Sequence, residues 1–328
     1  MADISVALDG VPSGDAAVAI CCDANFLPWA ATLALTVARE HPERDFDILI
    51  ASEEPLDLPP GLGALGIRNA VVDCRAAFAD YPLDRRRSMA TYLWIALAEG
   101  LRGRYARMLA LDADMLCLGG DLGRLMRTDM LGFPVGAVRD NRQWRTPMRR
   151  VPEFRALGRP AAPYFNAGLA LVDTEGWAGA GLSARMARFA ATELAPLGRD
   201  QALANCVLYG DWAELSPVWN WMSTRDSRLL TDPVGPRIVH FIGGGKPWEA
   251  GGERHAPRFR RIYKAALADH FPDHPALARI DPDAPVPPDR MGYALFRHLR
   301  GWPAMRRYLA RFPDPYRARP AGGAPSGG

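Results

Sequence analysis

Cysteine is scarce and unpatterned in this sequence. The five cysteines, Cys21, Cys22, Cys74, Cys117 and Cys206, show no paired spacing, no C-x-x-C and no histidine partner in zinc register. That excludes a disulfide framework and predicts reduced thiols in a cytoplasmic protein. Charge of one sign is also missing. A formal net charge of +3 gives no basis for a nucleic-acid partner, because counterion release needs clustered cations. No hydrophobic run is long enough to span a bilayer: the longest, residues 27–38, is short and interrupted, whereas a span needs about 20 apolar residues. The opening MADISVALDG has two aspartates and no basic flank ahead of an apolar run, unlike a secretory signal. Internal repeats are absent, and only the closing ARPAGGAPSGG is low in complexity.

What remains is an ordinary globular composition. With 328 residues, 48% apolar and 23% charged, the chain can bury a large core, and one α/β domain with a tail is expected. Residues 17–22 form an apolar run of strand length, residues 28–40 a helix opened by Pro28, and residues 46–51 a second strand. A β-α-β unit of this kind implies parallel pairing in a buried sheet. Further strands are predicted at residues 70–72, 105–111, 135–138, 168–172 and 237–241. Helices are predicted from Ser88 to Gly100 and over residues 183–194 and 200–208. Residues 139–163, rich in Arg and Pro, read as a long functional loop.

Asp112-Ala113-Asp114 follows the strand-like MLAL. Residues two apart on an extended backbone point the same way, so both carboxylates can reach one hard cation. The pattern D-x-D recurs at Asp45-Phe46-Asp47 and Asp281-Pro282-Asp283, where it reads as solvated charge. The Asp112 copy differs in sitting at the carboxyl end of a buried strand, where open α/β sheets place ligands. In His240-Phe241-Ile242-Gly243-Gly244-Gly245-Lys246, the glycines permit close backbone approach, and Lys246 is a point charge suited to phosphate. His240 is either a structural histidine or a nitrogen ligand completing an O/N set that Mn²⁺ accepts. Asn166, in Tyr164-Phe165-Asn166-Ala167-Gly168, and Asp200 and Gln201, opening a helix, carry the amides and carboxylate needed to read sugar hydroxyls. They could equally shape a turn and cap a helix.

In order and spacing, Asp23-Ala24-Asn25, LDAD, YFNAGLALVD, DQALAN and HFIGGGKPW resemble glycosyltransferase family 8, which includes bacterial lipopolysaccharide galactosyl- and glucosyltransferases and the glycogenins. The resemblance covers residues 18–248. It implies a GT-A fold: a mixed, mostly parallel α/β sheet with a Rossmann-like nucleotide-binding half, here followed by a helical basic tail. It also implies a retaining hexosyltransferase that uses a UDP-sugar donor and Mn²⁺ or Mg²⁺. By similarity, Asp112, Asp114 and His240 hold the metal, and Gly243 and Lys246 the pyrophosphate. Asp23 and Asn25 hold the uracil, with the Cys21 backbone and Ala113 beside the nucleotide. Asn166, Asp200 and Gln201 face the donor sugar, and Asp140 lies toward the acceptor. Where many relatives carry Tyr-x-Arg, this chain has Tyr92-Leu93-Trp94, with Arg85, Arg86 and Arg87 just upstream; Ala202 stands where relatives often have Asp.

The alternatives are a catalytically silent UDP-sugar binding module and an aspartate-based phosphohydrolase. The resemblance extends to a glycan, lipopolysaccharide or lipid-linked acceptor. Pro-rich residues 281–289 mark the end of a catalytic domain spanning residues 1–280, leaving a basic segment at 290–317 and a disordered tail at 318–328. Within that segment Met291, Leu295, His298 and Leu299 recur at helical spacing. After a break at Gly301 and Pro303, so do Met305, Tyr308, Leu309 and Phe312, with arginines interleaved. Two short amphipathic helices of this kind either dock on the domain or lie on an anionic membrane, as in a peripheral protein at the inner face of the plasma membrane.

Overall fold

The computed structural model describes residues 4–79, 81, 89–194, 197, 200–286 and 288–322. The predicted cap Ser88 and Arg85, Arg86 and Arg87 fall outside them.

Among the described residues there are twelve strands: β1 Ser5–Leu8, β2 Ala16–Cys21, β3 Asp47–Ser52, β4 Ile67–Asp73, β5 Arg107–Asp112, β6 Met115–Cys117, β7 Val135–Arg139, β8 Phe165–Asp173, β9 Ala213–Glu214, β10 Trp221–Met222, β11 Ile238–His240 and β12 Arg319–Pro320. Nine of them form one sheet in the order β1-β4-β3-β2-β5-β8-β7-β9-β12, and β10-β11-β6 form a second. From β4 through β3 and β2 to β5 all ladders are parallel. β8 then enters antiparallel between β5 and β7. Of the four parallel strands, β2, β3 and the body of β5 read as apolar runs because both their faces are covered. In β2, for example, Ala17 and Ala19 pack into one core while Val18 and Ile20 pack into the other.

The helix Leu27–Glu40 opens with Pro28 near its first turn and buries twelve residues, Leu27 through Ala38. Its apolar girdle fits a helix held between the sheet and a second helix, Pro257–His270. Trp29 stacks on Trp248 with ring centroids 4.3 Å apart.

Four expectations are corrected. Asp47 is not solvated charge: it is buried and accepts hydrogen bonds from Ser13 N at 3.0 Å and Tyr105 Oη at 2.6 Å, beside Arg68. The 139–163 loop contains two short helices, Asn141–Trp144 and Pro152–Ala156, pinned by Gln143, whose amide donates to the Arg149 and Ala162 carbonyls. The basic segment is one continuous helix, Pro288–Leu309, despite Pro303. Arg319–Pro320 is no free tail but an edge strand paired with β9.

The C-terminal helix divides cleanly. Ala294, His298, Gly301, Met305 and Tyr308 face inward, followed by Phe312, whereas Met291, Leu295, Phe296, Leu299 and Trp302 are exposed. Tyr308 Oη and Arg311 reach the fully buried Glu214, which also takes a bidentate fork from Arg139. Glu214's carboxyl is pushed up by burial, but the Arg139 and Arg311 guanidinium groups more than reverse this and hold it below its ordinary value. Among the described residues no helix is long and apolar enough to cross a membrane, and the five cysteines are unpaired.

Candidate functional site

The carboxyl ends of β2 and β5 lie side by side, with Cys21 opposite Asp112 in the parallel register. β5 ends in the turn that leads to β6, and His240 closes β11, paired antiparallel to β6. That connection brings Asp112, Asp114 and His240 together, with ligand atoms all within 4.8 Å of one another. His240 Nε2 lies 2.9 Å from Asp114 Oδ1 and 3.6 Å from Asp112 Oδ2. Lys246 Nζ contacts the other Asp114 oxygen and the Phe241 carbonyl.

Gly168 makes this cluster sterically possible. Leu111 pairs with Leu169 across β5 and β8, so Gly168 faces Asp112; a Cβ there would lie 2.3 Å from His240 Cε1 and 2.7 Å from Asp112 Oδ2. A register shift between β7 and β8 at Ala137/Val138 leaves residues 167–169 out of that ladder. Such a bulge re-aims side chains beside a site.

Behind the triad runs a chain of amides whose direction backbone donors fix. The Gly168 N–H donates to Asn166 Oδ1 at 3.2 Å, so Asn220 must also donate to that oxygen, at 2.9 Å, through Nδ2. Asn220 Oδ1 is then left facing His240 Nδ1 at 3.0 Å, so Nδ1 carries a proton and Nε2 is the ring nitrogen turned toward the carboxylates, the one that would ligate a cation. In the same way, the Ala167 N–H donates to Gln201 Oε1, as does Asn166 Nδ2, and Gln201 Nε2 donates to Asp140 Oδ2 at 3.0 Å. Asp140 is buried, and its other oxygen accepts from Arg142.

Two ligand atoms thus converge on one point. Asp114 Oδ1 is buried and accepts no hydrogen bond, and His240 Nε2 lies 2.9 Å away. A divalent cation satisfies both, and one nitrogen with two carboxylates is a donor set that fits Mn²⁺. Although its side chain is half exposed, the Asp112 carboxyl is pushed up to about 6, by desolvation in the cleft and then by Asp114. Burial also works against ionised Asp114, but His240 and Lys246 hold it well below the usual carboxylate range.

The other anticipated residues sit around this centre. Ala113 is buried between the two aspartates. Asp23 caps the turn Ala24–Phe26, accepting from Phe26 N at 3.1 Å, and leaves Asn25 exposed beyond β2. The Cys21 thiol is raised well above its ordinary value by burial and then by Asp112 and Asp200, so both carboxylates lie near it. Asp200 accepts from Trp94 Nε1 at 3.3 Å; the tryptophan standing in the Tyr-x-Arg position is therefore a hydrogen-bond donor to this site. Gly243 takes a left-handed φ of +76° in the loop that carries Lys246. Sequence reasoning missed Asn220, Gly168 and Trp94.

A family model described as glycosyl transferase family 8 matches residues 17–252. General stress protein A of Bacillus subtilis (strain 168) is 30% identical over 159 residues, covering 44% of this chain and 53% of its own length. Lipopolysaccharide 1,2-glucosyltransferase of Escherichia coli (strain K12) is 26% identical over 155 residues, covering 43% of this chain and 44% of its own length. The chain thus spans about half the length of these curated relatives. The fold is similar to that of the galactosyltransferase LgtC solved with donor and acceptor sugar analogs, with a TM-score of 0.60 at 21% identity, covering 84% of this chain and 99% of that one.

Proposed function

Because the chain belongs to glycosyl transferase family 8, and because its triad brings three potential ligand atoms within 4.8 Å of one another, we propose that it transfers a hexose, with retention and with a divalent cation, from a UDP-sugar to a glycan or lipid-linked acceptor. The observation that carries this reading is the convergence of Asp112, Asp114 and His240, with the buried Asp114 Oδ1, which accepts no hydrogen bond, 2.9 Å from His240 Nε2.

In this reading Asp112, Asp114 and His240 hold Mn²⁺ or Mg²⁺, which when bound supplies Lewis-acid neutralisation of charge on the leaving diphosphate. Lys246 adds a point charge from the loop, and the Gly243 backbone lets the pyrophosphate approach. Asp23, Asn25, the Cys21 backbone and Ala113 receive the nucleoside at the ends of β2 and β5. Asn166, Asp200 and Gln201 present oxygens and dipoles to a sugar ring gaining positive charge. Gln201's amide is a poor nucleophile, which favours attack on the same face as departure. Asp140 orients Gln201 from the acceptor side. Family membership sets aside the phosphohydrolase alternative.

Incubation with a panel of UDP-sugars and Mn²⁺ tests the assignment. Release of UDP with one donor is expected, together with an α-linked product from an α-linked donor by proton NMR. Metal-dependent UDP binding without turnover would identify a binding module instead, and a β-linked product would overturn retention.

We place the enzyme at the cytoplasmic face of a membrane, on the support of the exposed stripe Leu295, Phe296, Leu299 and Trp302 beside exposed Arg300, Arg306 and Arg307. Each arginine near an anionic leaflet contributes about 1 kcal/mol. Cosedimentation with phosphatidylglycerol vesicles, lost in Leu295→Glu/Leu299→Glu, checks this placement; unchanged pelleting of that folded variant refutes it.

A further inference from the structure

Asp140 can hold Gln201 only if its own carboxylate does not turn. Two donors meet at Gln201 Oε1, Asn166 Nδ2 at 3.1 Å and the Ala167 N–H at 3.3 Å. Two bonds to one atom fix a point, about which the amide plane can still swing. The bond from Gln201 Nε2 to Asp140 Oδ2, at 3.0 Å, fixes the other end and with it the plane. A carboxylate's own torsion is broad, so this bond is only as firm as the contacts on Asp140 Oδ1.

Those contacts come from Arg142. Its backbone N–H and its Nε both donate to Asp140 Oδ1, at 2.9 and 2.8 Å. Nη1 reaches both oxygens of Glu153, at 3.2 and 3.3 Å, and the guanidinium carbon lies 4.9 Å from the centroid of the Tyr164 ring. The Asp140 backbone is held as well, its N–H donating to the Tyr164 carbonyl at 2.9 Å. A planar fork that spans two carboxylates and rests on an aromatic face has little freedom to reorient. Burial works against the charge of Arg142, but Asp140 and then Glu153 more than reverse this and hold the guanidinium above its ordinary value.

Resting on the transferase reading above, we infer that Arg142 is a positioning residue for sugar transfer: by locking Asp140 it sets the plane of the Gln201 amide, whose dipole faces the donor sugar. It acts through Asp140 and not on the sugar itself. Arg142 also ties the helix Asn141–Trp144 to the helix Pro152–Ala156 through Glu153. Glu153→Gln separates the two roles, because it weakens the tether and leaves both bonds to Asp140 in place.

The chain holds two glutamines, Gln143 and Gln201, so labelling the full-length protein with ¹⁵N-glutamine gives two side-chain amide signals in NMR. The Gln201 signal is assigned by its loss in Gln201→Met. In Arg142→Ala it should move toward the position of free glutamine, and in Glu153→Gln it should stay near its wild-type place. UDP release from UDP-glucose and UDP-galactose with Mn²⁺ is the second readout. Arg142→Ala should lower kcat at least about tenfold, as misplacement near a reacting centre does, while donor KM and UDP affinity change less than about twofold. Arg142→Lys, which keeps the charge but not the planar fork, should shift both readouts less, and it serves as the test if Arg142→Ala does not fold. An unmoved Gln201 signal or an unchanged kcat in the folded Arg142 variants, or an equal loss of kcat in Glu153→Gln, overturns the inference. If the signal moves as expected but wild type releases UDP from neither donor, the transferase reading falls and the hold of Arg142 on Gln201 stands.

Discussion

Gly168→Ala is the sharpest perturbation of the candidate metal centre, because it touches no proposed ligand chemically. The added methyl would lie 2.3 Å from His240 Cε1, where ordinary contact begins at 3.4 Å, so the ring must retreat by about 3.4 − 2.3 = 1.1 Å. Metal–ligand distances tolerate only about ±0.2 Å. The ring cannot retreat freely, because its Nδ1 is anchored to Asn220 and the histidine is buried. Overpacking of this kind costs about 1–3 kcal/mol, a fall of several degrees in melting temperature. The larger effect falls on the cation: Mn²⁺ affinity is expected to drop at least about 10–100-fold, the range seen when outer-shell support of a ligand is lost. Calorimetric titration of Mn²⁺ in the presence of UDP reads this directly. Gly179→Ala is the control, since a Cβ at Gly179 meets nothing within 4 Å. Wild-type Mn²⁺ affinity in a folded Gly168→Ala protein would refute the assignment of the triad.

Asn220→Ala removes the partner that holds His240 Nδ1 and so aims Nε2 at Asp114, and should lower Mn²⁺ affinity about 10–100-fold with little change in UDP affinity at saturating metal. Glu214, whose carboxyl is held below its ordinary value of 4.5, contributes stability that is fully present above about pH 4.5 and lost as pH falls toward its lower folded value. The stability gap between wild type and Glu214→Gln should therefore be flat at neutral pH and shrink in acid; a gap that grows in acid contradicts the ion-pair reading. Ending the chain before residue 288 removes buried Met305, Tyr308 and Phe312, each worth about 1.5–3 kcal/mol, and strips Glu214 of Arg311 and Tyr308. Thermal unfolding should show a large loss, and an unchanged melting temperature would show that the tail is separable after all.

The parts of the site legible in the sequence were those whose signal is local. Asp112 and Asp114 follow an apolar strand, His240 ends another, and Asn166, Asp200 and Gln201 sit in compact motifs, so order and spacing were enough to nominate them. Asn220 carried no such signal: it lies in SPVWNWM, and its link to His240 exists only once β10 and β11 pair. Gly168 lay within a recognised motif, but its necessity follows from the antiparallel register of β8 with β5. Asp47 read as solvated because its partner Tyr105 is 58 residues away. In the C-terminal helix both faces carry apolar residues at helical spacing, so periodicity could not say that His298, Met305 and Tyr308 point inward while Leu295 and Leu299 point out. The two-residue ladder of β12 with β9 is too short to leave a pattern.

If Asp112, Asp114 and His240 form a cation site, donor binding depends on it. Titration of UDP into wild type and Asp114→Ala, each with Mn²⁺ and with excess EDTA, tests it most directly. UDP should bind wild type only when Mn²⁺ is present, and should not bind a folded Asp114→Ala protein under either condition. Equal UDP affinity with Mn²⁺ and with EDTA, or full affinity in Asp114→Ala, would contradict it.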